Sequence, residues 1–282
     1  MDKSQRSETQ QAEMEAKADE ESIDRASGLA PKLIYEVIRR EGEEELERTT
    51  RGLIWSGIAA GMMISFSVVG EAVLRTYLPD APSSYLIENL GYSLGFLVVI
   101  LGRMQLFTEN TITTVLPVMH DFCATMVLRM LRLWSIVLAA NVVGAFAVAL
   151  LYVYTPALPA DITPAMIELS EHATGFAPHV AFFRAIPAGI LVAAIVWMMP
   201  QAESASFLLI ATFTWLIAAG DFTHIVAGSV EMAYLMVQGK LGFIDAMTRF
   251  FLPVFLGNVI GGTVIFTLTA YGQVKDEVEQ DS

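Results

Sequence analysis

Cysteine is nearly missing from this 282-residue chain: Cys123 stands alone, which excludes an internal disulfide framework and any CxxC metal site. It reads as filler in an interfacial segment. Charge is scarce over most of the length. Residues 1–50 hold fourteen acids and eight bases and residues 275–282 add four acids, leaving twelve acids and eight bases for positions 51–274. The formal net charge of -13 is therefore largely a property of the tails, and no basic surface points to a nucleic-acid partner. Also missing are a glycine-rich phosphate loop, a metal-ligand cluster and a nucleophile elbow, so no cofactor, metal or catalytic residue is expected and the chain does not read as an enzyme. The first 28 residues, "MDKSQRSETQQAEMEAKADEESIDRASG", lack the apolar core of a cleavable signal. Their high charge and low hydrophobicity predict a disordered, acidic, cytoplasmic tail over residues 1–29.

What the chain does have is apolar length. It is 54% hydrophobic with a mean hydropathy of +0.53, the signature of an all-α polytopic membrane protein in contact with lipid. A bilayer core about 30 Å thick needs roughly 20 helical residues, and Leu53–Leu74, Trp134–Tyr154, Val180–Met199 and Phe250–Tyr271 meet that length. Two further segments do not behave as simple spans. Leu86–Met119 is too long and is broken by "GRMQLFTENTIT", and Phe207–Val237 is broken by "GDFTH". Each reads as two half-helices joined by irregular backbone, which at membrane depth is tolerated only inside protein or along a wet cavity. The result is six transmembrane helices, the second and fifth interrupted. Ahead of them, Leu33, Ile34, Val37 and Ile38 recur at helical spacing. They predict an amphipathic helix over residues 30–50, lying either at the membrane surface or on the protein's own cytoplasmic face.

Basic residues set the orientation. Arg39, Arg40, Arg48 and Arg51 precede the first span, Arg129 and Arg132 precede the third, and residues 155–179 hold no Lys or Arg. Both termini, including an acidic tail over 273–282, are expected in the cytoplasm. Lys240 and Arg249 fall on the opposite side.

Short signatures recur in order along the two halves. "AAGMMIS" is echoed by "PAGILVA", "LFTEN" by "DFTHI" with Phe107 and Thr108 answering Phe222 and Thr223, and "AANVVGAF" by "LGNVIGGT". The offsets are 128, 115 and 117. They predict two three-helix repeats, about residues 51–154 and 180–272, which must be inverted because each has an odd number of spans. Asn141 with Gly144, and Asn258 with Gly261, read as packing positions: the glycine admits a neighbouring backbone and the amide bonds across it.

Ordered on six spans, "LFTENTIT", "NVVGA", "GDFTHIVAG" and "LPVFLGNVIGG" resemble the formate/nitrite transporter family over about residues 30–272. The resemblance implies an aquaporin-like protomer, a homopentamer with one pore per protomer, and a bacterial inner-membrane location. The substrates it implies are small monovalent anions of the formate, nitrite or hydrosulfide class, or their conjugate acids. It places the cytoplasmic constriction on Leu106 and Phe107, a hydrogen-bonding loop residue on Thr108, and the central histidine on His224 with Thr223 before it. The periplasmic constriction falls on Trp215, Leu216 and Ile217. The chain departs from the family pattern in four ways: Thr223 replaces a glutamate, Gly228 replaces an asparagine, Glu109 takes the place of a small hydroxyl residue, and the lysine that anion-channel members carry near the start of the fourth span has no counterpart. Arg184 is the nearest cation.

An ionisable side chain in a membrane span is functional by default, and histidine exchanges protons near neutrality; His224 is therefore the leading pore residue. Asp221 either holds that imidazole charged or caps the second half-helix, the cap being preferred. Glu109 would repel an anion unless it faces the cytoplasm or pairs with Arg103 or Arg129, the pairing being preferred. A half-helix beginning near Thr111 would aim its positive end at the loop. Alternatives are a pore for small neutral solutes and a closed structural or regulatory membrane protein. An intramembrane enzyme built on Asp221 and His224 lacks a paired nucleophile.

Overall fold

A computed structural model describes residues 28–279 of the chain. The tail expected to be disordered lies almost wholly outside them. Among the described residues all regular structure is helical. We number the helices α1 (Pro31–Glu47), α2 (Thr50–Tyr77), α3 (Ser84–Leu101), α4 (Asn110–Thr113), α5 (Val115–His120), α6 (Ala124–Tyr154), α7 (Thr163–Thr174), α8 (Pro178–Gln201), α9 (Ser206–Ala219), α10 (Ile225–Val237) and α11 (Phe243–Val278). Five of these, α2, α3, α6, α8 and α11, are long and apolar enough to cross a membrane, and α9 and α10 are shorter apolar helices. The chain is thus an all-α polytopic membrane protein whose second and fifth apolar segments are broken where the polar stretches stand.

Several boundaries move outward, the last span starting at Phe243 instead of Phe250. The third span starts at Ala124 instead of Trp134, because the basic positions Arg129 and Arg132 are good helix formers that hydropathy alone leaves out. The acidic C-terminal segment stays helical through Val278. Val274 is buried there with Tyr35, Ile34 and Ile38 of α1. That contact also decides where α1 lies: it packs on the protein's own surface through Ile34, Tyr35, Ile38, Gly42 and Leu46, against Ile112 and Leu116. Leu33 and Val37 are left on its exposed side.

Both breaks are built alike, 118 residues apart. At the end of α3 the amide of Met104 donates to Val99 O at 3.0 Å, and at the end of α9 the amide of Phe222 donates to Ile217 O at 2.9 Å. These six-to-one closures need a left-handed residue just before the donor, a place usually taken by glycine. Here Arg103 (φ 51°) and Asp221 (φ 54°) take it, at a cost of about 1 kcal/mol or more each for a residue with a Cβ. The chain then runs extended past each break and is caught by a buried asparagine. Asn141 Oδ1 accepts from the Phe107 amide at 3.0 Å while its Nδ2 donates to Gly57 O and Gln105 O, each at 2.8 Å. Asn258 Oδ1 accepts from the Ile225 amide at 2.8 Å while its Nδ2 donates to Ala185 O at 2.8 Å and Thr223 O at 3.0 Å.

These bonds correct the register of one echo. Phe107 is matched by Ile225, and Gln105 by Thr223, so the offset at the breaks is 118 and not 115. The Phe-Thr pairs of "LFTEN" and "DFTHI" are similar letters in different places. The glycine contacts keep the other two offsets. A Cβ on Gly61 would lie 2.0 Å from Asn141 O and one on Gly189 2.3 Å from Asn258 O; on Gly144 it would meet Ile58 O at 2.3 Å and on Gly261 Ile186 O at 2.1 Å. Only glycine permits these helix crossings.

Candidate pore

The breaks carry the two residues that meet at the centre. His224 Nε2 lies 2.8 Å from Thr108 Oγ1, with the imidazole 2% exposed and Thr108 fully buried. The other ring nitrogen fixes the tautomer: Nδ1 accepts the Ala227 amide at 3.2 Å as the N-cap of α10, so Nε2 carries the hydrogen and donates to the threonine. The Thr108 hydroxyl is thereby an acceptor toward His224 and keeps its own hydrogen to donate. The Phe96 ring packs edge-to-face with the imidazole at 5.0 Å, and among the described residues no carboxylate is hydrogen-bonded or ion-paired to it. Thr108 is held from the other side, since its carbonyl accepts Thr111 Oγ1 at 2.7 Å.

This centre separates two spaces. On one side is a cavity of about 60 Å³ lined by His224, Thr223, Gly228, Phe222, Phe176, Leu169, Tyr92, Phe250 and the acids Glu71, Glu231 and Asp221, with His172 at its rim. On the other is a vestibule of about 560 Å³ bounded by Leu106, Gln105, Asn110, Arg103 and four glutamates, Glu41, Glu44, Glu45 and Glu109. Between them Phe107 is fully buried, wedged against Trp134 at 5.6 Å and Phe255 at 5.5 Å. Trp134 is itself fixed, its Nε1–H donating to Thr114 Oγ1 at 3.0 Å. Leu106 thus borders the large vestibule, Phe107 is buried next to it in the chain, and Thr108 with its bond to His224 follows.

The remaining expected residues divide. Thr223 donates to Ala181 O at 2.8 Å and lines the cavity. Trp215 and Leu216 lie away from it: Trp215 Nε1 donates to Leu86 O at 2.8 Å, and Leu216 is 42% exposed. Ile217 is buried without bordering the cavity. The apolar walls on this side come instead from Phe176, Phe222, Leu169 and Phe250, because α9 turns its 215–216 face outward.

Both roles considered for Asp221 are overturned. The cap of α10 is His224 itself, and the Asp221 carboxylate pairs with Arg184 Nη1 at 2.8 Å and His172 Nε2 at 2.8 Å, the left-handed φ turning it toward α7 and α8. Arg184 also stacks on Phe176 at 4.5 Å. The expected partner of Glu109 is engaged elsewhere: Arg103 bonds Glu41 at 3.0 Å. Among the described residues no ion pair joins Glu109 to Arg103 or Arg129. The half-helix expected near Thr111 begins at Asn110 and lasts four residues before Thr114 interrupts it.

Sequence reading passed over Glu71, Glu231, Tyr92, His172, Trp134 and Phe255. Glu71 and Glu231 carried a signal, each being an acid inside a membrane segment; the others are ordinary types whose role depends on tertiary contact.

The formate/nitrite transporter family model matches residues 32–272. The chain belongs to the formate/nitrite transporter family. Among curated relatives, inner membrane protein YfdC of Escherichia coli (strain K12) is 42% identical over 245 residues, covering 87% of this chain and 79% of the relative. Formate channel FocA of Haemophilus influenzae (strain ATCC 51907 / DSM 11121 / KW20 / Rd) is 26% identical over 236 residues, covering 74% and 82%. Two solved structures share the fold. A pentameric formate channel with formate bound superposes with a TM-score of 0.69 at 20% identity, over 80% of this chain and 97% of that one. A second, described as an FNT family ion channel, gives 0.75 at 22%, over 85% and 98%.

Proposed function

We propose that this formate/nitrite transporter homologue forms a pore for small monovalent anions of the formate, nitrite and hydrosulfide class, crossing close to their neutral conjugate acids. The observation that carries the reading is the hydrogen bond from His224 to Thr108, which joins the two breaks between two separate cavities. A dry septum of Leu106 and Phe107 opposes a bare charge, since removing an ion from water without a partner costs several kcal/mol or more. The Thr108 hydroxyl, held as an acceptor by the His224 Nε2–H, offers its own hydrogen as a donor there at a fixed position. Both vestibules are acidic, which disfavours a free anion and favours passage with a proton.

The protomer is read as two inverted repeats in an aquaporin-like arrangement, consistent with the matched asparagine and glycine contacts. The pentameric relative supports a homopentamer surrounded by lipid, and the YfdC relative supports a bacterial inner membrane. Arginines flanking α2 and α6 favour cytoplasmic termini. The test is reconstitution into liposomes with stopped-flow uptake of formate, nitrite, hydrosulfide, ammonia and glycerol. Uptake of the anions without glycerol is expected; uptake of glycerol alone, or of none, overturns the assignment.

A further inference from the structure

The small cavity beside His224 holds chemistry that the central contact leaves unused. Glu231, on α10, is 8% exposed and lines the cavity together with Glu71 of α2. Neither carboxylate has a hydrogen bond or an ion pair within the described residues. Tyr92, 7% exposed, borders the same space, and its hydroxyl likewise has no hydrogen-bond partner among the described residues.

The surrounding charges are occupied. Arg75, one turn from Glu71, is shared between Glu88 at 3.3 Å and Glu168 at 2.7 Å. Asp221 holds both Arg184 and His172, and Tyr85 donates to Ala219 O at 3.1 Å. His224 is committed on both nitrogens. Like charges confined together in a small, largely apolar cavity cannot both stay ionised without a counter-ion. A metal ion is a poor candidate, because hard cations want about six oxygen ligands and no group of three or more His, Cys, Asp or Glu among the described residues is placed to hold one. The proton is the cation that fits.

We propose that Glu71 and Glu231 form a proton-binding carboxyl pair that charges the cavity with the proton a weak-acid anion needs to enter. This rests on the anion reading above. The exchange is a simple transfer: the O–H bond of one carboxyl breaks, a new O–H bond forms on the anion's oxygen, and the neutral acid moves on while the carboxylate stays behind. The Tyr92 hydroxyl can donate to that carboxylate until the solvent on that side returns a proton past His172 and Asp221, which line the same cavity. Such a pair makes uptake electroneutral and obliges one proton to travel with each anion.

The test uses the full chain in lipid, wild type against E71Q/E231Q, with E231Q alone as the milder variant. Infrared difference spectroscopy at neutral pH should show a protonated-carboxyl carbonyl band in the wild type that the glutamines remove; a difference containing only carboxylate bands overturns the proposal. In liposomes loaded with a pH dye, wild-type formate uptake should carry about one proton per anion and ignore an imposed potential. Uptake by the double variant should become potential-dependent with a ratio near zero. A wild type already driven by potential overturns the carboxyl pair. A wild type that moves no anion yet shows the band removes the anion assignment and leaves the proton site standing.

Discussion

Replacing Asn258 by Leu tests how the pore centre is held. The two side chains are close in volume, so the change removes three hydrogen bonds, of 2.8, 2.8 and 3.0 Å, without opening a large cavity. Ala185 O sits inside a helix and keeps its ladder partner. The Ile225 amide and Thr223 carbonyl flank His224 in extended backbone and are left buried without one. At about 1–3 kcal/mol per orphaned group, the loss is roughly 2–6 kcal/mol, less whatever a membrane-unfolded state recovers. Asn141→Leu removes the same set of bonds at Phe107 and Gln105 and should cost a similar amount. The two asparagines share no partner, so the double variant should be additive to within about 0.5 kcal/mol. Unfolding in mixed detergent micelles measures all three. A loss below about 1 kcal/mol for either single variant, or a large difference between them, would refute the matched roles assigned to the two asparagines.

Other consequences follow from named contacts. Gly61→Ala and Gly189→Ala each drive a Cβ to 2.0 and 2.3 Å from an asparagine carbonyl, so both should lower folded yield in detergent by forcing helices apart, while Gly242→Ala, with open space around it, should not. Thr108→Val keeps the shape but removes the acceptor of the His224 Nε2–H, leaving a buried donor; a destabilisation of about 1–3 kcal/mol with loss of uptake is expected, and full wild-type flux would count against the contact. On α1, hydrogen bonding from Arg39 pulls the Glu36 carboxyl from 4.5 down to about 2. A folded value below the unfolded one contributes stability that is fully present above about pH 4.5 and is lost as pH falls toward 2. The pair is partly exposed, so its worth is about 1 kcal/mol or less, read as the difference between wild type and Glu36→Gln in acid-induced release of α1.

Much of this arrangement was legible in residue order because lipid allows so few solutions. Apolar runs long enough to span, and polar insertions that only a pore or protein interior tolerates, fix the helices and both breaks. The asparagine and glycine pairs were legible as packing for the same reason. The roles of Asp221 and Glu109 were not, because each depends on which cation the fold brings near: Arg184 and His172 arrive from α8 and α7, far along the chain, and Glu41 on α1 takes Arg103 first. Trp215 and Leu216 were placed by resemblance at a constriction, and the rotation of α9 about its axis turned them outward. That rotation is set by packing against α3, which no single-segment pattern encodes. The register of the "DFTHI" echo failed similarly, since matching letters competed with a backbone match that only the asparagine bonds reveal.

The central claim is that the His224–Thr108 contact lies on the conduction path. Its most direct measurement is stopped-flow formate uptake into liposomes holding wild type or His224→Phe at matched protein density, at about pH 5 and about pH 8, with folding of the variant checked by its oligomeric state in detergent. Wild-type uptake should be faster at the acid pH, and the folded His224→Phe protein should fall to the rate of empty liposomes at both. Equal uptake by the two proteins would contradict the claim.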